Sequence, residues 1–148
     1  MIVSLVGAPK TGKTIYATEM ARRMRANGQT VTFISADRRG PKMSQIPTGA
    51  AGVFCYLNEV VAACALEVEE GTDLIVVDEV PANLSRSVMA VLMHAPSSAL
   101  VVARPSPMLF PYLLASDTFM LSVPEKNPVW VDEDDRAEAF VQAMLTGD

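Results

Sequence analysis

The chain has 148 residues, of which 50% are hydrophobic and 20% are charged. With a mean hydropathy of +0.25, this composition is too apolar for a disordered chain, and the length suits one compact domain over 1–148. The apolar runs are far shorter than the roughly 18 residues that a membrane-spanning helix needs, so we expect no membrane span. The net charge of −5 argues against a surface built wholly for nucleic acid.

The beginning of the chain favours a cytoplasmic setting, and the cysteines are predicted to be reduced core residues. No basic segment of the kind that opens a signal peptide precedes the first apolar run. The two cysteines, Cys55 and Cys64, fall in one predicted helix. Their separation along that helix would be about 13.5 Å, which is too far for a disulfide.

Short apolar runs alternate with amphipathic stretches, which is typical of an α/β fold with a mostly parallel sheet. We predict five to six strands, at 2–6, 30–35, 74–78, 99–103 and 118–122, with a short sixth at 129–131. The predicted helices span 13–26, 54–70, 84–94 and 133–145. The segment 36–53 is rich in glycine and proline, and we predict a long mobile loop there.

The segment from Gly7 to Thr14 fits the pattern G-x-x-x-x-G-K-S/T between an apolar strand and an amphipathic helix. Glycines let backbone amides wrap a phosphate, and the helix N-terminus adds partial positive charge. Lys13 would reach the β- and γ-phosphates, and the Thr14 hydroxyl would ligate Mg²⁺. A chance glycine turn is the alternative interpretation. The residues predicted to bind the nucleotide are Gly7, Ala8, Pro9, Lys10, Thr11, Gly12, Lys13, Thr14 and Ile15.

A second motif follows where the apolar strand 74–78 runs into two carboxylates, Asp78 and Glu79. In a doubly wound sheet, ligands gather at the carboxyl ends of strands, so we expect Asp78 and Gly7 at the same edge. Asp78 would hold Mg²⁺ through water, and Glu79 would orient and deprotonate an attacking water. The alternative is that the two charges only mark where a strand meets solvent.

Together the two motifs resemble the P-loop NTPases of the additional-strand, catalytic-glutamate group, which includes the RecA-like ATPases, and the resemblance covers 1–122. It implies a three-layer fold in which another strand, here 99–103, separates the strand of the phosphate loop from the strand of Asp78. It also implies a polar sensor at the tip of that added strand. This position falls at Arg104 or Ser106, and we assign Arg104 to the catalytic set.

The same resemblance implies ATP and Mg²⁺ as ligands and a homo-oligomer in which a neighbour's arginine completes the site. The Asn-Lys-x-Asp tetrad with which GTPases recognise guanine does not occur in the chain, which favours ATP. A basic cluster in the loop is either a solvated turn or a contact for phosphate, of nucleic acid or of a neighbouring subunit's nucleotide. That cluster consists of Arg38, Arg39 and Lys42. Arg86 and Arg104 are the rival candidates for the arginine that reaches a neighbouring subunit's nucleotide.

Further resemblances leave the substrate open. The second strand and Asp37 resemble RecA-like proteins, whose second strand commonly ends in an acidic residue. The run Asp37-Arg38-Arg39 equally resembles the Asp-x-Arg motif of thymidine kinases, although the paired zinc cysteines of those enzymes are missing. Arg104-Pro105 and the run 113–121 resemble FtsK-related translocase and packaging ATPases and zona occludens toxin-like export proteins, with Ala103 in place of their glutamine.

These patterns predict a Mg²⁺-dependent ATPase that works as an oligomeric motor or assembly ATPase on nucleic acid or a protein polymer. Two rival hypotheses stay open at this point. One is a thymidine-kinase-like kinase for a nucleoside or another small molecule. The other is a nucleotide-binding switch that hydrolyses slowly.

Overall fold

The computed structural model of the chain describes residues 2–7, 13–35, 49–54, 57–80, 85–93, 98–103, 117–121, 141–142 and 145. Within these ranges the strands are β1 (Ile2–Gly7), β2 (Val31–Ser35), β3 (Ala51–Phe54), β4 (Leu74–Val80), β5 (Ser98–Ala103) and β6 (Asp117–Leu121). The helices are α1 (Lys13–Ala26), α2 (Val60–Glu70) and α3 (Ser85–Met93), and a 3₁₀ turn at Leu57–Glu59 leads into α2. None of the helices in these ranges combines the length and the apolar character that a membrane crossing requires.

The described strands form one sheet in the order β3-β2-β4-β5-β1-β6, and every neighbouring pair is parallel. This confirms the predicted α/β class with a parallel sheet. The strand expected to separate the two motif-bearing strands does so, because β5 pairs with β1 on one side and with β4 on the other. A parallel pair cannot be closed by a hairpin, and three of the connections contain the described helices α1, α2 and α3.

Helices cover both faces of the sheet. The connection from β1 through α1 to β2 runs in one direction along the sheet, whereas the connections that contain α2 and α3 run in the other direction. Because such crossovers are right-handed, α1 lies on the opposite face from α2 and α3. One buried cluster joins alternate strand residues to residues of α2 and α3, and it consists of Ile2, Ile34, Val60, Cys64, Ile75, Val77, Val88, Met89, Leu92, Ala99 and Val101. The residues of α1 that pack on the other face are at most 1% exposed, and they are Ala17, Met20, Ala21 and Met24.

The amino ends of β2 and β4 are tied together by polar contacts. The backbone N–H and the hydroxyl of Thr30 donate to Asp73 Oδ2 at 2.9 and 3.1 Å, and the Asp73 N–H donates to the Thr30 hydroxyl oxygen at 2.9 Å. The Leu74 N–H donates to the Thr30 carbonyl at 2.9 Å. These bonds fix the register of β2 against β4 from its first pair, Val31 with Leu74.

The outer side of α1 carries an ion-pair network. Arg22 Nη2 lies 2.6 Å from Glu19 Oε1, and Arg23 Nε lies 3.1 Å from the same oxygen. The hydrogen bond from Arg22, assisted by Arg23, holds the pKa of the Glu19 carboxyl below its ordinary value. Arg22 is exposed, so its (i, i+3) pair with Glu19 contributes at most about 1 kcal/mol, whereas Glu19 and Arg23 are only 17% and 15% exposed.

The prediction was wrong at residues 51–54. A loop through residue 53 and a helix from residue 54 were expected, whereas Ala51–Phe54 form the edge strand β3, and the α-helix begins only at Val60. The strand has only four residues, Ala51-Gly52-Val53-Phe54, and they show no alternation of apolar and polar side chains. In the fold Ala51 and Gly52 are exposed. Its backbone is held instead by parallel pairing with β2, from Thr32 opposite Ala51 to Ser35 opposite Phe54.

Three other predictions fall largely or wholly outside the described residues. They are the remainder of the mobile loop at 36–48, the strand at 129–131 and most of the helix at 133–145. Within that last range Val141, Gln142 and Leu145 are helical, and Val141 is buried.

The predicted ends of α1 and α2 are confirmed, because each helix stops at a glycine with left-handed backbone. Gly28 has φ 81° and Gly71 has φ 76°. At the end of α2 the Gly71 N–H donates to the Val68 carbonyl and the Thr72 N–H donates to the Glu67 carbonyl, both at 3.2 Å. This is the pair of bonds that closes a Schellman motif.

We predict that Gly71→Ala lowers the free energy of unfolding by about 1 kcal/mol, because a side chain disfavours the left-handed backbone. A Cβ at this position would meet no atom within 4 Å, so steric overlap adds nothing. Gly71→Asn should cost less, since asparagine tolerates this conformation better than alanine. Urea unfolding measures all three proteins, and a Gly71→Ala variant as stable as the wild type would contradict the assignment.

Candidate functional site

The two sequence motifs meet in the fold. Thr14 lies in the first turn of α1, and Asp78 lies near the carboxyl end of β4. The Thr14 hydroxyl donates a hydrogen bond of 3.3 Å to Asp78 Oδ1 across a separation of 64 residues. Both side chains are partly buried. The structure therefore brings together the hydroxyl and the carboxylate that the sequence predicts as magnesium ligands.

The strand order explains this meeting. Val6 of β1 and Val80 of β4 both pair with Ala103 of β5, so the carboxyl ends of β1 and β4 lie level on either side of it. Gly7 is the last residue of β1, and Lys13 is the first of α1. The ends of the predicted phosphate loop are thus at the same edge of the sheet as Asp78, as expected for the site of an open α/β sheet.

A second contact braces the start of α1. The Thr18 hydroxyl donates to the carbonyl oxygen of Thr14 at 2.8 Å. Bonds of this kind, from a threonine to the carbonyl four residues earlier, compete with the ordinary helical bond and often bend a helix. Thr14 thus takes part in two bonds, one at its carbonyl oxygen and one at its hydroxyl.

The two acidic residues coincide with an irregularity in β4. Val77 pairs with Val101 and Val80 pairs with Ala103, so three steps along β4 match two along β5. Asp78 and Glu79 fill the extra length, which makes this a β-bulge. Bulges interrupt the strict alternation of a strand, and they are frequent beside active sites, where they re-aim side chains. The sequence predicted the acidic pair but not the bulge.

The site contains a polar residue to which the sequence analysis gave no role. Ser35 is the last residue of β2, it is only 2% exposed, and it pairs in register with Asp78. Its signal in the sequence is a hydroxyl at the end of the apolar run Val31–Ser35. This hydroxyl can be assigned to the site only when the strand order is known, because that order puts β2 beside β4.

The remaining predicted site residues fall into two groups. The structure gives backbone positions for Gly7 at the end of β1, for Lys13 and Ile15 at the start of α1, and for Glu79 in β4. Arg86 lies on α3 and is exposed. The predicted residues that lie outside the described ranges are Ala8, Pro9, Lys10, Thr11, Gly12, Asp37, Arg38, Arg39, Lys42, Arg104 and Ser106.

The donor set at Thr14 and Asp78 suits magnesium. Mg²⁺ takes oxygen ligands, dehydrates reluctantly and keeps several waters, so one hydroxyl and one carboxylate are a sufficient protein contribution. Across the part of the chain that the structure describes, no three or more histidine, cysteine, aspartate or glutamate side chains group into a metal site. The Thr14 hydroxyl and the Asp78 carboxylate by themselves fit a hard, partly hydrated cation.

The comparisons with known proteins bear on the fold. No protein-family model matches the chain, and no characterised protein matches it in sequence. The chain is similar to the crystal structure of flagellar accessory protein FlaH from Methanocaldococcus jannaschii, with a TM-score of 0.57 and 12% identity over 80% of this chain and 70% of that chain. The likeness shows a RecA-like fold in coarse outline. At this identity it carries no information on activity.

We predict that Thr14 and Asp78 are energetically coupled in the free protein. Thr14→Val and Asp78→Ala should together destabilise the chain by about 1 kcal/mol less than the sum of their separate effects, because each removes the same bond to a charged group. Urea unfolding of the wild type, both single variants and the double variant gives this coupling.

Thr18→Val is the matched control, since the Thr18 hydroxyl bonds to its own helix and not to Asp78. Combined with Asp78→Ala, it should give additive effects within about 0.5 kcal/mol. Additive effects for Thr14 and Asp78 as well would contradict the hydrogen bond between them.

Proposed function

We propose that this chain is a Mg²⁺-dependent P-loop ATPase with a three-layer, RecA-like fold. The observation that carries the proposal is the hydrogen bond of 3.3 Å from the Thr14 hydroxyl to Asp78 Oδ1. A chance glycine turn and a chance acidic strand end would have no reason to meet across 64 residues. Their meeting at the carboxyl edge of a parallel sheet supports one nucleotide site built from both motifs.

In this proposal the residues of the phosphate loop bind and orient the triphosphate. The backbone N–H groups of the loop, which Pro9 lacks, and the N-terminus of α1 would attract the phosphate oxygens. Lys13 would neutralise charge on the β- and γ-phosphates. Thr14 and Asp78 are the residues that would hold Mg²⁺, and Asp78 accepts the hydrogen bond from Thr14. The metal would supply charge neutralisation on the phosphate oxygens.

Glu79 is the proposed general base. It takes a proton from a water molecule as the water oxygen bonds to the γ-phosphorus, and the bond from that phosphorus to the β,γ-bridging oxygen breaks. The products are ADP and inorganic phosphate. The position of Glu79, one residue beyond Asp78 and within the bulge of β4, supports this role, because bulges re-aim side chains beside active sites. Arg104, at the predicted tip of the added strand, is proposed as the polar sensor of the site.

The wider setting remains a prediction from the sequence. It comprises a cytoplasmic homo-oligomer, a motor or assembly role, and contacts to nucleic acid. The contact residues proposed for nucleic acid are Arg38, Arg39 and Lys42. ATP hydrolysis that rises with protein concentration and with added single- or double-stranded nucleic acid would support this setting. Phosphate transfer only to a nucleoside would favour the kinase, and tight binding without turnover would favour the switch.

We predict that Lys13→Ala abolishes nucleotide binding, because it removes the cation that neutralises the terminal phosphates. Fluorescence titration with a labelled ATP analogue in excess MgCl₂ measures the affinity. Arg22→Ala is a suitable control, because Arg22 is an exposed cation on the same helix that pairs with Glu19. It should bind as the wild type does. Equal affinity in Lys13→Ala would contradict the phosphate-loop assignment.

We predict that Glu79→Gln keeps ATP binding but slows turnover by about two to four decades, the usual contribution of a positioned base. Glutamine preserves the size of the side chain but cannot take the proton from water. Steady-state phosphate release and the binding titration, made on the same preparation, separate the two effects. A turnover number equal to that of the wild type would remove Glu79 from the mechanism.

A further inference from the structure

Ser35 is a buried hydroxyl that the proposed mechanism does not use. It ends β2 at the carboxyl edge of the sheet, and only 2% of its surface is exposed. Its partner in the parallel register is Asp78. Paired residues of neighbouring strands lie about 4.8 Å apart, which is within reach of a serine and an aspartate side chain.

Ser35 and Asp78 lie on the same face of the sheet. Ile34, which directly precedes Ser35, belongs to the cluster packed against α2 and α3. The next residue along a regular strand points to the opposite face, so Ser35 lies on the α1 side. Asp78 lies in the bulge, and the hydrogen bond that it accepts from Thr14 of α1 puts it on the same side.

The pairing of Ser35 with Asp78 is fixed by contacts at the amino ends of β2 and β4. Thr30 and Asp73 tie the amino ends of β2 and β4 together by the bonds described above. The pairing then runs without a shift from Val31 opposite Leu74 to Ser35 opposite Asp78. The bonds between Thr30 and Asp73 therefore fix which residue of β2 lies opposite Asp78.

We infer that Ser35 is a positioning residue for the magnesium site, an inference that rests on the proposed function. A carboxylate has two oxygens and about four acceptor positions, and the bond from Thr14 occupies one of them. The Ser35 hydroxyl acts on the same carboxylate from the neighbouring strand. It limits rotation of the Asp78 side chain, so that the carboxylate faces Thr14 and the hydrated cation. Ser35 itself contacts neither the nucleotide nor the metal.

The test is the Mg²⁺ dependence of nucleotide binding in Ser35→Ala. A labelled ATP analogue at fixed concentration is titrated with MgCl₂, and its fluorescence reports binding without any turnover. The Mg²⁺ concentration at half-maximal binding should rise about tenfold, the lower range of what a hydrogen bond to a charged group contributes. Binding in excess EDTA should stay within about twofold of the wild type, because the loop and Lys13 do not depend on Ser35.

Thr32→Val is the matched control. Thr32 is a second buried hydroxyl of the same strand, with 5% of its surface exposed. It pairs in register with Ile75, which belongs to the cluster against α2 and α3, so it lies on the other face of the sheet. Its loss should leave the Mg²⁺ midpoint within about twofold of the wild type, since isosteric removal of a hydroxyl acts locally.

Two further variants keep the test decisive if Ser35→Ala does not fold. Ser35→Thr keeps the hydroxyl on a residue that suits strands, and it should bind Mg²⁺ and the analogue nearly as the wild type does. Ser35→Cys keeps the size but has a weak S–H donor, and it should show the raised midpoint. Equal midpoints for the threonine and cysteine variants would overturn the role of Ser35.

The outcomes separate this inference from the function on which it rests. An unchanged midpoint in Ser35→Ala, or an equal rise in Thr32→Val, overturns the positioning role and leaves the proposed ATPase intact. A wild-type chain whose binding of the analogue does not respond to Mg²⁺ overturns the proposed magnesium site itself, and the inference falls with it.

Discussion

Parallel pairing of β4 with both β2 and β5 is the constraint on which the rest of the structure depends. Because all the described strands run the same way, their carboxyl ends collect at one edge. The end of β1, the start of α1 and Asp78 then become neighbours although they are distant in the sequence. The hydrogen bond between Thr14 and Asp78 is a result of this arrangement, and so is the proximity of Ser35.

Much of this arrangement is readable from local signals. The helix Lys13–Ala26 was predicted with its observed bounds, because a phosphate-loop pattern marks its start and Asn27-Gly28 marks its end. The inner strands are continuous apolar runs, as strands buried on both faces must be. The place of β5 between β1 and β4 followed from a family resemblance, and the sheet order confirms it.

The features that escaped prediction are those that depend on partners far along the chain. The strand Ala51–Phe54 exists because β2 offers it a pairing edge, and its own residues give a weak signal. The bulge at Asp78 and Glu79 appears only when β4 is counted against β5. Ser35 gains meaning only from its register with Asp78. The roles of Lys13, Glu79 and Arg104 stay predictions, because they concern contacts that the described residues do not include.

The sheet order has a consequence for how the chain folds during its synthesis. Of the described strands, β1 is made first, and it pairs only with β5 and β6 among them. A ribosome therefore has to make about a hundred residues before β1 finds its first neighbour, while β2, β3 and β4 can already pair with one another. Until then the apolar segment Ile2–Gly7 lacks its neighbours in the sheet, and unpaired apolar segments of this kind are prone to aggregation.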